Sequence, residues 1–409
     1  MNSSFWDPAQ ALQDAFVLGD DMGVNPCISP STTFAYYDAE DMTRVFSGQK
    51  PLKQKSGYLY TRHTNPTVCR LGSLIAAMED TEACAPVASG MAAITCALNQ
   101  LVEKGDHVIS SPCIYGGTYA YQKNLFEKHF GVTLDFADFT DLDEVNKKLV
   151  VSKTRLVYFE TIANPVLAVA SIPDIAQICK ENGTVLVVDN TFSPLIVTPA
   201  QHGADIVVYS TTKFLSGSSI HVGGAICGSE NFIDSLLNVR DGWVMLAGPT
   251  MDPFAAFDIA KDLESLPIRV KAHSTRAAIY ANRLKDLGLE VHYPGLASHP
   301  HHVVLSNIGN PDYGFGGMIA LDLGTEAKAK SFANRLHALK FGILAVSLGF
   351  SQTLFSCSGS STSSEIPEDK QKAMGLSPGL LRLSIGYTGN MEIMWQRLEQ
   401  ALKEEDLIS

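Results

Sequence analysis

Between about residues 65 and 230, short apolar runs rich in β-branched residues alternate with stretches of helical length. No other feature restricts the possible folds of this chain as strongly. The runs are His107–Ser111, Leu156–Phe159, Val185–Asp189 and Ile206–Tyr209, each bounded by turn residues and separated by segments such as Ile172–Glu181. A strand that is apolar along its whole length must be covered on both faces. Strands of that kind alternating with helices predict an α/β fold with a largely parallel sheet flanked by helices. Two helix starts are legible at the level of single residues. Asn65 caps a helix with Pro66 in its first position, followed by Leu71, Leu74, Ile75 and Met78 at helical spacing. Ser89-Gly90 opens another, with Met91, Ile94, Leu98 and Leu101 on one face.

The 409 residues exceed what one ordinary core holds, so two domains or one large α/β unit are expected. Residues 1–64 carry Pro26, Pro30 and Pro51 and little periodicity, and they read as an arm lying on the main body or on a neighbouring subunit. Residues 65–260 form the large domain. Residues 261–409 read as a smaller C-terminal α+β domain, introduced by one long helix over Ala255–Leu287. A strand Met318–Leu323, a helix Lys328–Leu339, a strand Leu381–Ile385 and a terminal helix Glu392–Lys403 follow. The Ser- and Gly-rich stretch Gly359–Gly379, with Pro367 and Pro378, is expected to be a mobile loop.

Composition removes several classes of function. A net charge of -12 with no Lys/Arg run argues against nucleic acid or an anionic membrane as partner. No apolar run approaches the ~18 residues needed to span a bilayer. The N-terminus lacks the basic and apolar regions of a signal peptide. The eight cysteines are scattered singly, without a Cys-x-x-Cys pair, which reads as reduced thiols in a cytoplasmic protein with no metal.

Chemistry concentrates in six places. In Tyr209-Ser210-Thr211-Thr212-Lys213, a buried strand ends on two hydroxyls and a lysine. A lysine in apolar surroundings has its ammonium disfavoured, and the neutral amine can attack an aldehyde to form an imine. In an extended segment Ser210 and Thr212 point to one side, suited to a phosphate. A surface lysine after a strand fits the same residues. Asp189 ends the apolar run Val185–Val188, where open α/β sheets bind ligands, and its carboxylate needs a cation such as a protonated pyridine nitrogen. An ordinary capping Asp is the alternative. Ser89, Gly90 and Met91 offer the free N–H groups of a helix start to a phosphate, or form a plain cap. Tyr60 and Arg62 pair an aromatic ring with a guanidinium fork suited to phosphate, or are a surface pair. Tyr115 follows strand His107–Ser111 and can stack on a planar cofactor, or is a turn tyrosine. Arg382 lies inside an apolar strand and needs an anion, either a substrate carboxylate or a structural salt-bridge partner.

Taken together, these residues resemble the Cys/Met-metabolism branch of fold-type I pyridoxal-phosphate enzymes. The likeness runs from about residue 25 to 400. Besides the segments above, it includes Asn65-Pro66-Thr67, Tyr115-Gly116-Gly117-Thr118, Glu160 with Asn164-Pro165, Tyr293-Pro294-Gly295-Leu296, Gly316-Gly317-Met318 and Ala345-Val346-Ser347-Leu348-Gly349. The run from Val346 through Cys357–Ser364 is most similar to plant-type methionine γ-lyases. The resemblance implies pyridoxal 5'-phosphate bound as a Schiff base to Lys213, with Asp189 on the pyridinium and Tyr115 stacked on the ring. Ser89, Gly90, Met91, Ser210 and Thr212 would hold the phosphate, joined by Tyr60 and Arg62 from the neighbouring subunit of a homodimer, itself paired into a homotetramer. Asn164, Ser347 and Arg382 are expected at the substrate carboxylate or the cofactor hydroxyl. The implied reaction is α,γ-elimination of L-methionine to 2-oxobutanoate, ammonia and methanethiol, with Lys213 moving the protons and Tyr115 protonating the departing thiol. Cystathionine cleavage or synthesis, γ-replacement on an O-acylhomoserine, and a catalytically silent cofactor-binding homologue are the alternatives.

The sequence departs from the family pattern at Gly117, where some bacterial methionine γ-lyases have Cys. It departs also at Ile220 and His221 in place of an acidic residue, at Gln352 and Tyr387 in place of two more, and in the Ser-rich run after Cys357. All these positions lie where substrate choice could be decided.

Overall fold

The computed structural model describes residues 6–19, 22–47, 57–149, 154–358, 367, 371 and 376–408. Most of the stretch Gly359–Gly379, expected above as a mobile loop, lies outside them. The strands, in chain order, are β1 (Ala83–Val87), β2 (His107–Ser110), β3 (Thr133–Phe136), β4 (Thr154–Glu160), β5 (Val185–Asp189) and β6 (Ile206–Tyr209). They continue with β7 (Gly224–Gly228), β8 (Glu290–His292), β9 (Met318–Asp322), β10 (Ile343–Leu344), β11 (Leu354–Cys357) and β12 (Leu380–Ser384). The chain forms two compact units, residues 1–102 with 205–265 and residues 103–204 with 266–409.

In the first unit the strands lie in the order β1-β7-β6, antiparallel at both joins. Helix Gly90–Leu101 packs on β6 and β7, and helix Pro66–Glu79 on β1 and β7. The caps are those expected: Asn65 accepts from the Thr67 N–H at 2.9 Å, and Ser89 from the Ala92 N–H at 3.0 Å. Residues before 65 are less irregular than expected. They contain helices Pro8–Asp14 and Ala39–Phe46, capped by Asp7 and Asp38, and the first packs on helix Pro66–Glu79.

In the second unit β5-β4-β2-β3 are parallel throughout, and their interior residues are almost all buried. The fold class is therefore α/β, with a mostly parallel sheet and a second, smaller sheet ordered β10-β11-β12-β9-β8. That smaller sheet shares one core with helices Leu266–Asp286, Glu326–Ala338 and Met391–Glu404, built around Tyr280, Phe332, Phe341, Phe355 and Trp395.

The single helix expected over Ala255–Leu287 is two, Pro253–Leu263 and Leu266–Asp286. Pro267 is the cause: it has no N–H to continue a helix, but it fits the opening turn of a new one. β1 and β7 were not legible either. β1 is an edge strand containing Pro86, and β7 begins and ends with Gly, so both read as turns.

Candidate active site

In the first unit, two glycines bring chain segments together where side chains would otherwise keep them apart. A Cβ on Gly90 would lie 2.6 Å from the Ser210 Cβ, and one on Gly224 would lie 2.1 Å from the Ser89 carbonyl oxygen. The start of helix Gly90–Leu101 is thus pressed between the turn after β6 and the start of β7. A helix start held this close to the Ser210 side chain is a cradle of the kind that suits a phosphate. Met91 sits in the first turn of that helix.

Residues 211–216 form a series of turns rather than an extended segment. The Lys213 N–H donates to the Ser210 carbonyl at 3.2 Å, and the Gly217 N–H donates to the Lys213 carbonyl at 2.7 Å. Ser210 and Thr212 therefore do not share a side by strand alternation, the arrangement expected of an extended segment. The Thr212 hydroxyl accepts from the Gly223 N–H at 2.9 Å, which ties the lysine turn to the chain just before β7. Lys213 itself is half-buried. Thr211 is fully buried, and its hydroxyl has no hydrogen-bond partner among the described residues.

Tyr60 is 45% exposed and pairs with Thr33 in an isolated bridge. Arg62 donates to the Met245 carbonyl at 2.6 Å and approaches His63. His221 hydrogen-bonds Asp258 at 2.7 Å, so an acid does stand beside this loop, supplied by helix Pro253–Leu263.

The second unit carries the charged groups. Glu160 and Asp189 are register partners at the C-terminal ends of the parallel strands β4 and β5, the edge at which such sheets bind ligands. Asp189 is 7% exposed. It accepts from the Thr191 N–H at 2.9 Å and from the Tyr158 hydroxyl at 3.3 Å, and no cation pairs with it among the described residues. Burial raises its pKa against the pull of the Thr191 and Tyr158 hydrogen bonds. Glu160 accepts from the Tyr115 N–H at 2.6 Å and the Asn164 N–H at 2.9 Å. Its pKa is pushed up to about 8, first by burial and then by the neighbouring Asp189. Two backbone segments that carry expected site residues are thus fixed by one carboxyl group.

Arg382 lies in the middle of β12, 3% exposed. It donates to the Asn164 side-chain oxygen at 3.0 Å and forms no ion pair among the described residues. Burial lowers its pKa to about 10. Two residues along the same face of β12, the Ser384 hydroxyl accepts from the Gly349 N–H at 2.9 Å, and this anchors the turn that carries Ser347. Tyr115 caps helix Gly116–Tyr121 and leaves its ring 41% exposed. The ring folds over Gly117, where an added Cβ would lie 2.6 Å from the Tyr115 Cε1.

Tyr158 and the bracing role of Glu160 were missed in the sequence. They alternate along β4 and share a face, a signal that was available once the strand was extended to its last residue. Each unit carries chemistry that suits pyridoxal phosphate. In the second, a buried acid without a cation among the described residues matches a protonated ring nitrogen; in the first, the glycine cradle matches a phosphate, and a half-buried lysine lies in the turn beside that cradle.

Comparison with known proteins agrees with this chemistry. The family model described as "Cys/Met metabolism PLP-dependent enzyme" matches residues 19–403. A methionine gamma-lyase of Arabidopsis thaliana is 43% identical, covering 97% of this chain and 90% of its own. A cystathionine gamma-lyase of Bacillus subtilis is 34% identical, covering 86% and 90%. A Campylobacter jejuni chain described as an O-acetylhomoserine (thiol)-lyase carries N'-pyridoxyl-lysine-5'-monophosphate in its crystal structure. It superposes with a TM-score of 0.88 at 28% identity, covering 97% of this chain and 100% of its own. The protein belongs to the Cys/Met-metabolism family of pyridoxal-phosphate-dependent enzymes.

Proposed function

We propose that this enzyme converts L-methionine and water to 2-oxobutanoate, ammonia and methanethiol by α,γ-elimination. The observation that carries the reading is Arg382, a buried guanidinium whose acceptor among the described residues is one amide oxygen. Its remaining donors fit the α-carboxylate of an amino acid, as a bidentate fork does. In this reading Asn164 and Ser347 orient the same carboxylate or the cofactor hydroxyl. Asp189 keeps a proton on the ring nitrogen. Ser89, Gly90, Met91, Ser210 and Thr212 hold the phosphate.

Bound pyridoxal phosphate supplies a sink for the negative charge left when a proton leaves Cα or Cβ. Lys213 takes the Cα proton on Nζ, hands it on and, neutral again, takes one from Cβ. The Tyr115 hydroxyl donates its proton to the departing sulfur, and Glu160 fixes the backbone from which that ring projects.

The reading extends to the whole protein. Tyr60 and Arg62 serve the phosphate of a partner copy, so the working unit is a homodimer, in pairs that form a tetramer. Residues 1–64 act as an arm, 65–260 as the cofactor domain and 261–409 as the small domain. The eight free thiols suit a reducing cytoplasm.

Incubation of the holoenzyme with methionine, with 2-oxobutanoate and methanethiol both assayed, tests the reaction. Product no higher than in a Lys213→Ala control overturns it. Gly117 supports a second reading, cystathionine cleavage, because nothing at this position narrows the space beside Tyr115. Higher kcat/KM for cystathionine than for methionine would favour it.

A further inference from the structure

β1 and β7 are antiparallel neighbours, and their register sets Cys84 directly opposite Cys227. Residues opposed in this way point to the same face of a sheet, with Cα atoms about 4.5–5.5 Å apart. That separation falls inside the window of about 4.4–6.8 Å over which a disulfide closes. The two thiols also influence each other, since Cys84 is among the groups that favour the protonated Cys227 thiol.

The two sulfurs differ in access. Cys227 is fully buried, and burial holds its thiol well above the usual range. Cys84 is half-buried and lines an open cleft of about 430 Å³, along with Arg62, Cys69, Thr81 and Met251. A small oxidant therefore reaches one member of the pair and not the other.

We infer that Cys84 and Cys227 form a redox-active pair that a peroxide converts to a cross-strand disulfide. The Cys84 sulfur attacks the peroxide O–O bond, becoming a sulfenic acid and releasing an alcohol, or water from hydrogen peroxide. The Cys227 sulfur then attacks the Cys84 sulfur and expels hydroxide, which leaves as water with the Cys227 proton. Two electrons pass from the two sulfurs to the peroxide. A bridge between adjacent strands is a type that thiols readily reduce again, so the step is reversible. It does not depend on the identity of the amino-acid substrate.

The test treats native holoenzyme with stoichiometric hydrogen peroxide, titrates thiols after denaturation and maps peptides without reduction. The expected result is loss of two of the eight thiols, one cross-linked peptide joining Cys84 to Cys227, and full reversal by dithiothreitol. Cys227→Ala should instead accumulate a dimedone-reactive sulfenic acid at Cys84. A bridge from Cys84 to Cys69, sulfinic acid at Cys84 without a cross-link, or no thiol loss in the wild-type protein each overturns the inference. The wild-type map needs no variant, so a misfolded mutant cannot blur the answer.

Discussion

Arg382 and Asp189 are opposite in charge and alike in circumstance: both are buried, and neither has an ionic partner among the described residues. Leaving a charge in this state is expensive unless a ligand completes it. Arg382→Lys keeps the charge and loses the fork. A lost hydrogen bond to a charged group costs about 1.5–3 kcal/mol, so KM for methionine should rise by about ten- to a hundredfold in steady-state assays, with kcat changing far less. Gly117→Cys probes the surroundings of Tyr115. Its Cβ would strike the end of the Tyr115 ring, which is 41% exposed and can swing away. Thermal unfolding should shift little. The ratio of kcat/KM for methionine over cystathionine should change by about tenfold, the scale of one reshaped pocket contact.

Among the elements, helix Leu266–Asp286 carries one of the groups through which the protein responds to acid. His273 bonds the Ile385 carbonyl through Nδ1 at 2.6 Å and meets the Tyr387 ring edge-on at 4.9 Å. Burial lowers its pKa to about 4. An imidazole with a folded pKa below its unfolded 6.5 stabilises the native state fully above pH 6.5, and that contribution is lost as pH falls through about 4. Denaturant titrations should show a loss of up to about 3 kcal/mol across this window. Tyr387→Glu puts an anion beside the ring, raises the His273 pKa and should flatten the slope. The same element shows where the sequence stopped being informative. Elsewhere in the chain, the β-branched strands and the Asn65 and Ser89 caps were legible because each depends on neighbours along the chain. The helix break at Pro267 was visible in principle and was overridden by the apolar period on either side. β1 and β7 depend on backbone approach across the sheet, which leaves no pattern in a Pro- or Gly-containing strand. The lysine turn obeys hydrogen bonds to Gly223 rather than strand alternation, so the alternation that paired Ser210 with Thr212 does not hold, although Ser210 does lie against Gly90.

At the scale of the whole molecule, the proposed sharing of Arg62 between copies has a clear signature. Arg62→Ala and Lys213→Ala should each be nearly inactive alone. Mixed and allowed to exchange subunits in equal amounts, they should recover about a quarter of wild-type activity per site, because each mixed dimer has one intact site. No recovery after verified exchange would place Arg62 in its own subunit's site. The glycine contacts in the first unit have a different consequence, one for redesign. Gly90 and Gly224 abut backbone or Cβ atoms that cannot move without dislodging the start of a helix, whereas Gly117 abuts only the tip of a swinging phenol. An engineer seeking new leaving groups therefore has freedom around Tyr115 and almost none around Ser89. Libraries that randomise both regions will spend most of their members on proteins that no longer retain vitamin B6.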